Sequence, residues 1–428
     1  MQITRPRGTN DFLPGTVEKW QYLEDEFRRI CREYGYAEIR TPIFEHTELF
    51  HRGVGETTDI VEKEMYTFLD RGERSITLRP EFTAAIVRSY IENNLGAAPQ
   101  PTKLYQFGPV FRYDKPQAGR YRQFHQFDAE VLGTQDPAAD AETIALVADY
   151  FQRLGLEPVR EDGTGVISLH INSIGCPNCR PVHREKLQAF LKDNLAGLCP
   201  DCQSRFSRNP LRILDCKNEK CQAITAGAPD IIDCLCDECA DHFAGVRKYL
   251  DAVGLRYTID PRLVRGLDYY TKTTFEFISS ALGAQSSVCG GGRYDGLVEI
   301  VGGEPTPSVG FAIGLERLVL TVDSVGKKLP EQYPVDVFIA TVGSGVKAAA
   351  FALLHRLRRA GIAADQDFLN RSLKGQMKYS DKLKARWTVI LGEDELAKGT
   401  ATVREMATSE QAEVPLDGLA AYFQGKLK

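Results

Sequence analysis

The chain has 428 residues, enough for two or three domains with separate cores, and 43% of them are hydrophobic against 26% charged, an ordinary globular balance. A formal net charge of −5 excludes a general attraction to nucleic acid, so such a partner would need local basic patches. The opening segment, residues 1–15, has no apolar stretch of the secretory kind, and no run approaches the roughly 18 apolar residues of a membrane span, so the protein is expected in the cytosol.

In chain order, Trp20, Leu23, Phe27 and Ile30 recur at helical spacing and Gly35 follows, which predicts an amphipathic helix ending before an extended stretch from Tyr36 to Phe44. A short strand is expected near Ile76 to Leu78, and a helix from about Phe82 to Asn93. Two strands, Lys103 to Arg112 and Arg122 to Leu132, flank a polar loop rich in Gly, Pro and Arg and predict a long-looped antiparallel hairpin. From Ile171 to about Leu255 the cysteine content and the helical pattern change, marking an insertion. Strands and glycines resume from Leu263 to Gly314, with a helix from Leu315. After a break at Lys327-Lys328-Leu329-Pro330, strands at Val335 to Thr341, near Ile362 to Ala364 and at Trp387 to Leu391 alternate with helices at Val346 to Ala360 and near Leu373 to Ala385. That is the rhythm of a separate small α/β domain.

In the segment from Phe124 to Val131, period-two geometry sends Gln126, Asp128 and Glu130 to one face and His125, Phe127, Ala129 and Val131 to the other. The polar strip is either the solvent side of an antiparallel sheet or the floor of a binding site. Arg120 and Arg122 lie in the hairpin loop, with Arg112 at its near end. Guanidinium forks bind phosphate bidentately, so arginines beside an acidic strip suit a ligand that joins a phosphate to an ammonium group, while plain surface arginines are the alternative. Arg293 follows Cys289-Gly290-Gly291-Gly292, where three glycines admit either a close ligand or a tight turn; Walker and dinucleotide spacings are absent from the sequence. Arg317 is predicted in the first turn of a helix entered from the buried strand Gly310 to Gly314, a place that opposes the macrodipole and would be relieved by an anion.

These blocks, in this order, resemble the signature motifs of class II aminoacyl-tRNA synthetases. The first is the helix and strand ending at Thr41-Pro42, which in that family builds the dimer interface; the second runs from Phe111-Arg112 to Glu130, and the third from Gly310 to Leu318. The segments Leu263 to Thr271 and Gly290 to Gly296 are similar to the two histidine-specific signatures of the histidyl-tRNA synthetases, and the resemblance covers nearly the whole chain. It implies that Glu81, Thr83, Gln126, Glu130, Tyr269 and Tyr270 hold the ammonium and imidazole of histidine. It further implies that Arg112 contacts the α-phosphate and carboxylate region, that Arg120 and Arg317 take the outer phosphates of ATP, and that Arg265 is a fixed cation at the reacting atoms, with Arg112 beside it. Magnesium is expected to bridge the outer phosphates. The implied reaction is activation of histidine by ATP to the adenylate with release of pyrophosphate, then transfer to the 3′ end of the tRNA for histidine.

Eleven cysteines in a chain without a secretion signal read as thiols or metal ligands, and nine lie between Cys176 and Cys239. Cys176-x-x-Cys179 and Cys199-x-x-Cys202 have the spacing of a four-cysteine structural zinc site; Cys216, Cys221, Cys236 and Cys239 form a second possible set, and unligated thiols are the alternative. In the last domain Arg371, Lys374, Lys378 and Lys382 predict a basic stripe, either a solvated face or, as resemblance to an anticodon-binding module implies, a tRNA contact. The expectation is therefore an α+β chain: a class II catalytic domain at 1–328 with an antiparallel sheet of six or seven strands, an insertion at about 171–255, and an α/β anticodon-binding domain at 329–428, paired as a homodimer. The competing reading is a non-catalytic, histidine-sensing regulatory paralogue of ATP phosphoribosyltransferase, which typically lacks the last domain and erodes the phosphate-binding arginines.

Overall fold

Alternation in the segment 123–132 has its physical counterpart in the centre of a sheet. A computed structural model of the chain describes residues 3–55, 58–159, 164–283, 286–327 and 335–427, divided into the units Met1–Leu329 and Pro330–Lys428. The expected break lies, from residue 328 on, outside the described residues.

The first unit is built on an eight-stranded sheet in the order Ala37–Glu38, Thr102–Phe111, Gln123–Leu132, Ser308–Gly314, Ser287–Arg293, Thr271–Ser279, Ile167–Ser173, Thr258–Ile259. The inner six strands pair antiparallel, and the two-residue strands at the edges join in parallel. Six antiparallel strands agree with the expectation; only the total differs, since the two parallel edge strands bring the sheet to eight, and a two-residue strand carries no alternation to read. The hairpin is continuous, from Thr102 opposite Leu132 to Phe111 opposite Gln123.

Phe127, Ala129 and Val131 enter the main core with Leu23, Phe27 and Ile30 of the helix Val17–Glu33. The Phe27 and Phe127 rings stack at 4.3 Å, and truncating either to Ala would cost about 3–5 kcal/mol. Against the same face lies the helix Pro137–Arg153, whose N-cap Asp136 accepts from the Ala138 N–H at 2.9 Å with proline in the first turn. Gln126, Asp128 and Glu130 therefore face the other side, where the helix Thr83–Glu92 begins.

The insertion is narrower than expected. Strand Ile167–Ser173 belongs to the sheet, and helix Asp237–Ala252 buries Phe243, Val246 and Leu250 in the main core. Between them, within 174–236, Leu187, Leu191, Leu198, Ile213 and Leu214 close a small core of their own with Cys202 and Cys221.

In the second unit the strands run Ala364–Gln366, Val337–Thr341, Trp387–Leu391, Thr400–Glu405, Gln411–Pro415. The first three are parallel and joined through helices Lys347–Arg359 and Leu373–Lys382; the last two add an antiparallel hairpin that the sequence pattern did not announce. Val337, Ile339, Leu353, Leu357, Trp387, Val389 and Phe423 fill its core. Among the described residues, no helix is long and apolar enough to cross a membrane.

Candidate active site

Six chain segments meet at one cavity of about 230 Å³ on the polar side of the sheet, and every histidine- and ATP-binding residue expected above lines it: Glu81, Thr83, Gln126, Glu130, Tyr269, Tyr270, Arg112, Arg120, Arg265 and Arg317. The solvent-side reading of the strip is thereby set aside, since Asp128 and Glu130 are each only 1% exposed.

One end of the cavity is acidic. Glu81 caps the helix Thr83–Glu92 by accepting from the backbone N–H groups of Thr83 and Ala84 at 2.7 and 3.0 Å. Glu130 accepts from the Thr83 hydroxyl at 2.7 Å and from the Tyr294 hydroxyl. Burial pushes the Glu130 carboxyl up to about 8, against the opposing pull of those two hydroxyls, and burial also raises Glu81 and, strongly, Asp128. Gln126 Oε1 and Asp128 Oδ1 are buried acceptors without a hydrogen-bond donor, a costly arrangement that an ammonium ligand would satisfy. Tyr269 and Tyr270 wall the acidic end, with ring centroids 4.7 Å apart.

The other end is basic. Arg112 is fixed by donation from Nε to the Pro80 carbonyl at 2.9 Å and lies over the Phe124 ring. Arg317, in the first turn of the helix Leu315–Ser324, donates to the carbonyls of Gly119 and Ser287 at 3.1 and 2.8 Å. Arg120 pairs with Asp114. Burial lowers the Arg317 guanidinium, and the positive charges of Arg120 and Arg112 lower it further, so an anion at this end would relieve real repulsion.

Arg265 also lines the cavity, paired with Glu276 and lying over the Tyr270 ring. Burial opposes its charge, yet Glu276 and then Tyr270 hold the guanidinium above its ordinary range. Its seat explains the glycines. A Cβ on Gly290 would stand 2.5 Å from the Arg265 guanidinium carbon, and one on Gly310 would stand 2.5 Å from the Glu130 carboxyl carbon. A Cβ on Gly291 would meet the Phe275 ring at 2.6 Å. These glycines thus make room for the protein's own side chains rather than directly for a ligand.

Sequence reading missed Asp128 and Tyr294 as site residues, although Asp128 stood in the alternating strip and Tyr294 in the glycine block. Arg293, which follows the three glycines, is outside the cavity: it is fully buried and bound to Asp140 at 2.6 Å and Asp295 at 3.0 Å.

The expected zinc set is corrected. Cys176 and Cys179 gather with Cys236 and Cys239, and Cys199 and Cys202 gather with Cys216 and Cys221. The 13-residue helix Cys179–Leu191 runs about 20 Å between the two sequence-adjacent pairs, and each pair meets its partners in a separate group. In the second unit Lys374, Lys378 and Lys382 are exposed on one face of the helix Leu373–Lys382. Arg371 leaves the stripe: it precedes the helix, pairs with Asp367 at 2.5 Å and lies over the Tyr379 ring.

Comparison with known proteins agrees with this geometry. Residues 8–318 match the family model described as histidyl-tRNA synthetase, and residues 336–426 match that of an anticodon binding domain. Curated relatives named histidine–tRNA ligase include those of Desulforamulus reducens, 61% identical with 100% of both chains covered, and Pelotomaculum thermopropionicum, 60% identical over 100% of this chain and 99% of the other. The crystal structure of apo histidyl-tRNA synthetase from S. aureus, at 42% identity, superimposes with a TM-score of 0.83 over 99% of this chain and 100% of that one. A cavity acidic at one end and basic at the other, on an antiparallel sheet, in a chain matched over its full length at this identity, establishes that the protein belongs to the histidyl-tRNA synthetase family.

Proposed function

We propose that the protein is a histidine–tRNA ligase, working as a cytoplasmic homodimer. The observation that carries this is the single cavity lined both by Glu81, Asp128 and Glu130 and by Arg112, Arg120, Arg265 and Arg317. Histidine seats its ammonium on the strip of Gln126, Asp128 and Glu130, with Glu81 and Thr83 behind it and Tyr269 and Tyr270 enclosing its side chain. Its carboxylate is already a nucleophile, so the protein supplies position and charge rather than a covalent partner.

Arg120 and Arg317 hold the outer phosphates of ATP. The carboxylate oxygen attacks the α-phosphorus, the bond to the β-phosphate oxygen breaks, and pyrophosphate departs. Negative charge grows on the α-phosphoryl oxygens beside Arg112 and Arg265, which are already oriented by Pro80 and Glu276 and need no rearrangement. The cavity's lining carboxylates Glu64 and Glu316 are the hard oxygen donors that would hold the magnesium expected with ATP, and that cation would supply positive charge to the leaving group. In the second step the terminal ribose hydroxyl of tRNA attacks the adenylate carbonyl and AMP leaves.

The lysine stripe of the second unit and its match to an anticodon binding domain support tRNA contact there. The exposed Phe44, Phe68 and Leu69 of the small sheet formed by Phe44–His46, Ser75–Leu78 and Tyr66–Leu69 support pairing of two copies. The test is histidine-dependent exchange of pyrophosphate into ATP across the amino acids. Exchange with histidine alone is expected; a folded protein that binds histidine without exchange would instead be the regulatory paralogue.

A further inference from the structure

Eight of the nine cysteines in the segment from Cys176 to Cys239 form two separate tetrads, Cys176, Cys179, Cys236, Cys239 and Cys199, Cys202, Cys216, Cys221, with all four sulfurs of each within 4.8 Å of one another. The sets are nested: the outer pair of Cys-x-x-Cys knuckles encloses the whole insertion, and the inner tetrad lies inside it. The sulfurs stand 3.6 Å apart for Cys176 and Cys179, 3.9 Å for Cys176 and Cys236, and 3.8 Å for Cys199 and Cys216. Four thiolates around a tetrahedral zinc, each at about 2.3 Å, stand about 3.8 Å apart, whereas a disulfide needs about 2.05 Å. Backbone N–H groups already point at the sulfurs, from Cys236 to Cys179 Sγ at 3.1 Å and from Cys199 to Cys221 Sγ at 3.2 Å, the support that ligating thiolates receive.

We infer that the insertion carries two structural zinc ions, one on each tetrad, and that the outer ion positions the wall of the histidine pocket. On binding, each set of four thiols releases four protons and forms a closed four-coordinate site with no position left for substrate. Both knuckles of the outer tetrad reach the pocket segment. Arg180, next to Cys179, donates to the carbonyl of Tyr270, and Glu238, between Cys236 and Cys239, pairs with Lys272 at 2.8 Å. The backbone locks the same place, with Ile174 N–H to the Lys272 carbonyl at 2.8 Å and Lys272 N–H to the Gly175 carbonyl at 2.9 Å. Lys272 itself is held at φ 49°, a conformation that needs such support. The four cysteines of the inner tetrad pack in the insertion's own core, with Cys202 and Cys221 buried and Cys199 and Cys216 against it.

Metal content can be read without any activity, while the effect on the pocket rests on the function proposed above, so the two can fail separately. Elemental analysis of full-length protein purified under reducing conditions should give two zinc per chain. The cadmium-113-loaded protein should give two resonances of the four-thiolate kind. One zinc or fewer, or iron in its place, overturns the two-ion assignment, and this wild-type reading stands even if variants fail to fold. Cys216→Ser with Cys221→Ser should leave one zinc and an unchanged KM for histidine. Cys236→Ser with Cys239→Ser should also leave one zinc but raise that KM several-fold with kcat nearly constant; an unchanged KM in a folded variant overturns the positioning role.

Discussion

The seat of Arg265 can be probed without removing Arg265. In Gly290→Ala the new methyl carbon would lie 2.5 Å from the guanidinium carbon, and ordinary carbon contacts begin near about 3.5 Å, so the guanidinium must retreat by about 1 Å. Gly290 pairs within the sheet opposite Glu276 and Ala312, and its φ is not in the left-handed region, so alanine suits the backbone. A misplacement of about 1 Å at a charge-stabilising group costs about 10²-fold in rate, or about 2.7 kcal/mol of barrier. Histidine-dependent pyrophosphate exchange should therefore slow by about two orders of magnitude, with histidine affinity from equilibrium titration little changed. Arg265→Ala should be at least as slow. The double variant should be no slower than Arg265→Ala alone, because the methyl then has nothing to displace. Exchange by Gly290→Ala at the parent rate, or fully additive losses in the double variant, would refute the placement of Arg265 at the reacting atoms.

Glu130, pushed up to about 8 by burial, should be largely protonated near neutrality in the free protein. Histidine's ammonium favours the carboxylate, so calorimetry at pH 7 in buffers of different ionisation enthalpy should show proton release on binding, and Glu130→Gln should lessen it, the remainder coming from Asp128, which burial also raises. The same group binds its proton more tightly folded than unfolded. Its contribution to stability is full below the ordinary carboxylate value and is lost as pH rises toward 8, so denaturant midpoints of the free protein should fall across that range and fall less in Glu130→Gln. Asp140→Ala takes from the fully buried Arg293 its buried carboxylate partner, leaving it the more exposed Asp295, and should cost about 3–5 kcal/mol by urea unfolding. Replacing Lys374, Lys378 and Lys382 with alanine should weaken tRNA binding and flatten its salt dependence by about one unit of slope per lysine, while pyrophosphate exchange stays intact; an unchanged slope would remove the stripe from the tRNA contact.

Where the two sides of an element differ in chemistry, the sequence was readable: the helix Val17–Glu33, with one side in solvent, and the strand Gln123–Leu132, with one side on the buried polar cavity, both follow their periods. Helix Pro137–Arg153 escaped notice because it buries Asp140 and Thr143 as well as Ile144, Leu146 and Val147, leaving no clean stripe. Tyr66–Leu69 and Gln411–Pro415 are edge strands whose exposure removes the apolar signal. The site residues came largely from resemblance, and what that could not supply was the identity of partners: which residue Arg293 neutralises, what fills the room above Gly290, and which cysteines meet. Each depends on contacts between segments far apart in the chain, and no local spacing encodes them.

Gly310 stands directly opposite Glu130 in the sheet. A slip of one residue between those neighbours would bring a side-chain-bearing residue over the carboxylate and turn Phe127, Ala129 and Val131 out of the core. Faulty pairing thus cannot yield a sound protein with altered amino-acid preference. It yields one that does not hold together, so the fidelity of the pocket is guarded by the same alignment that keeps the molecule folded.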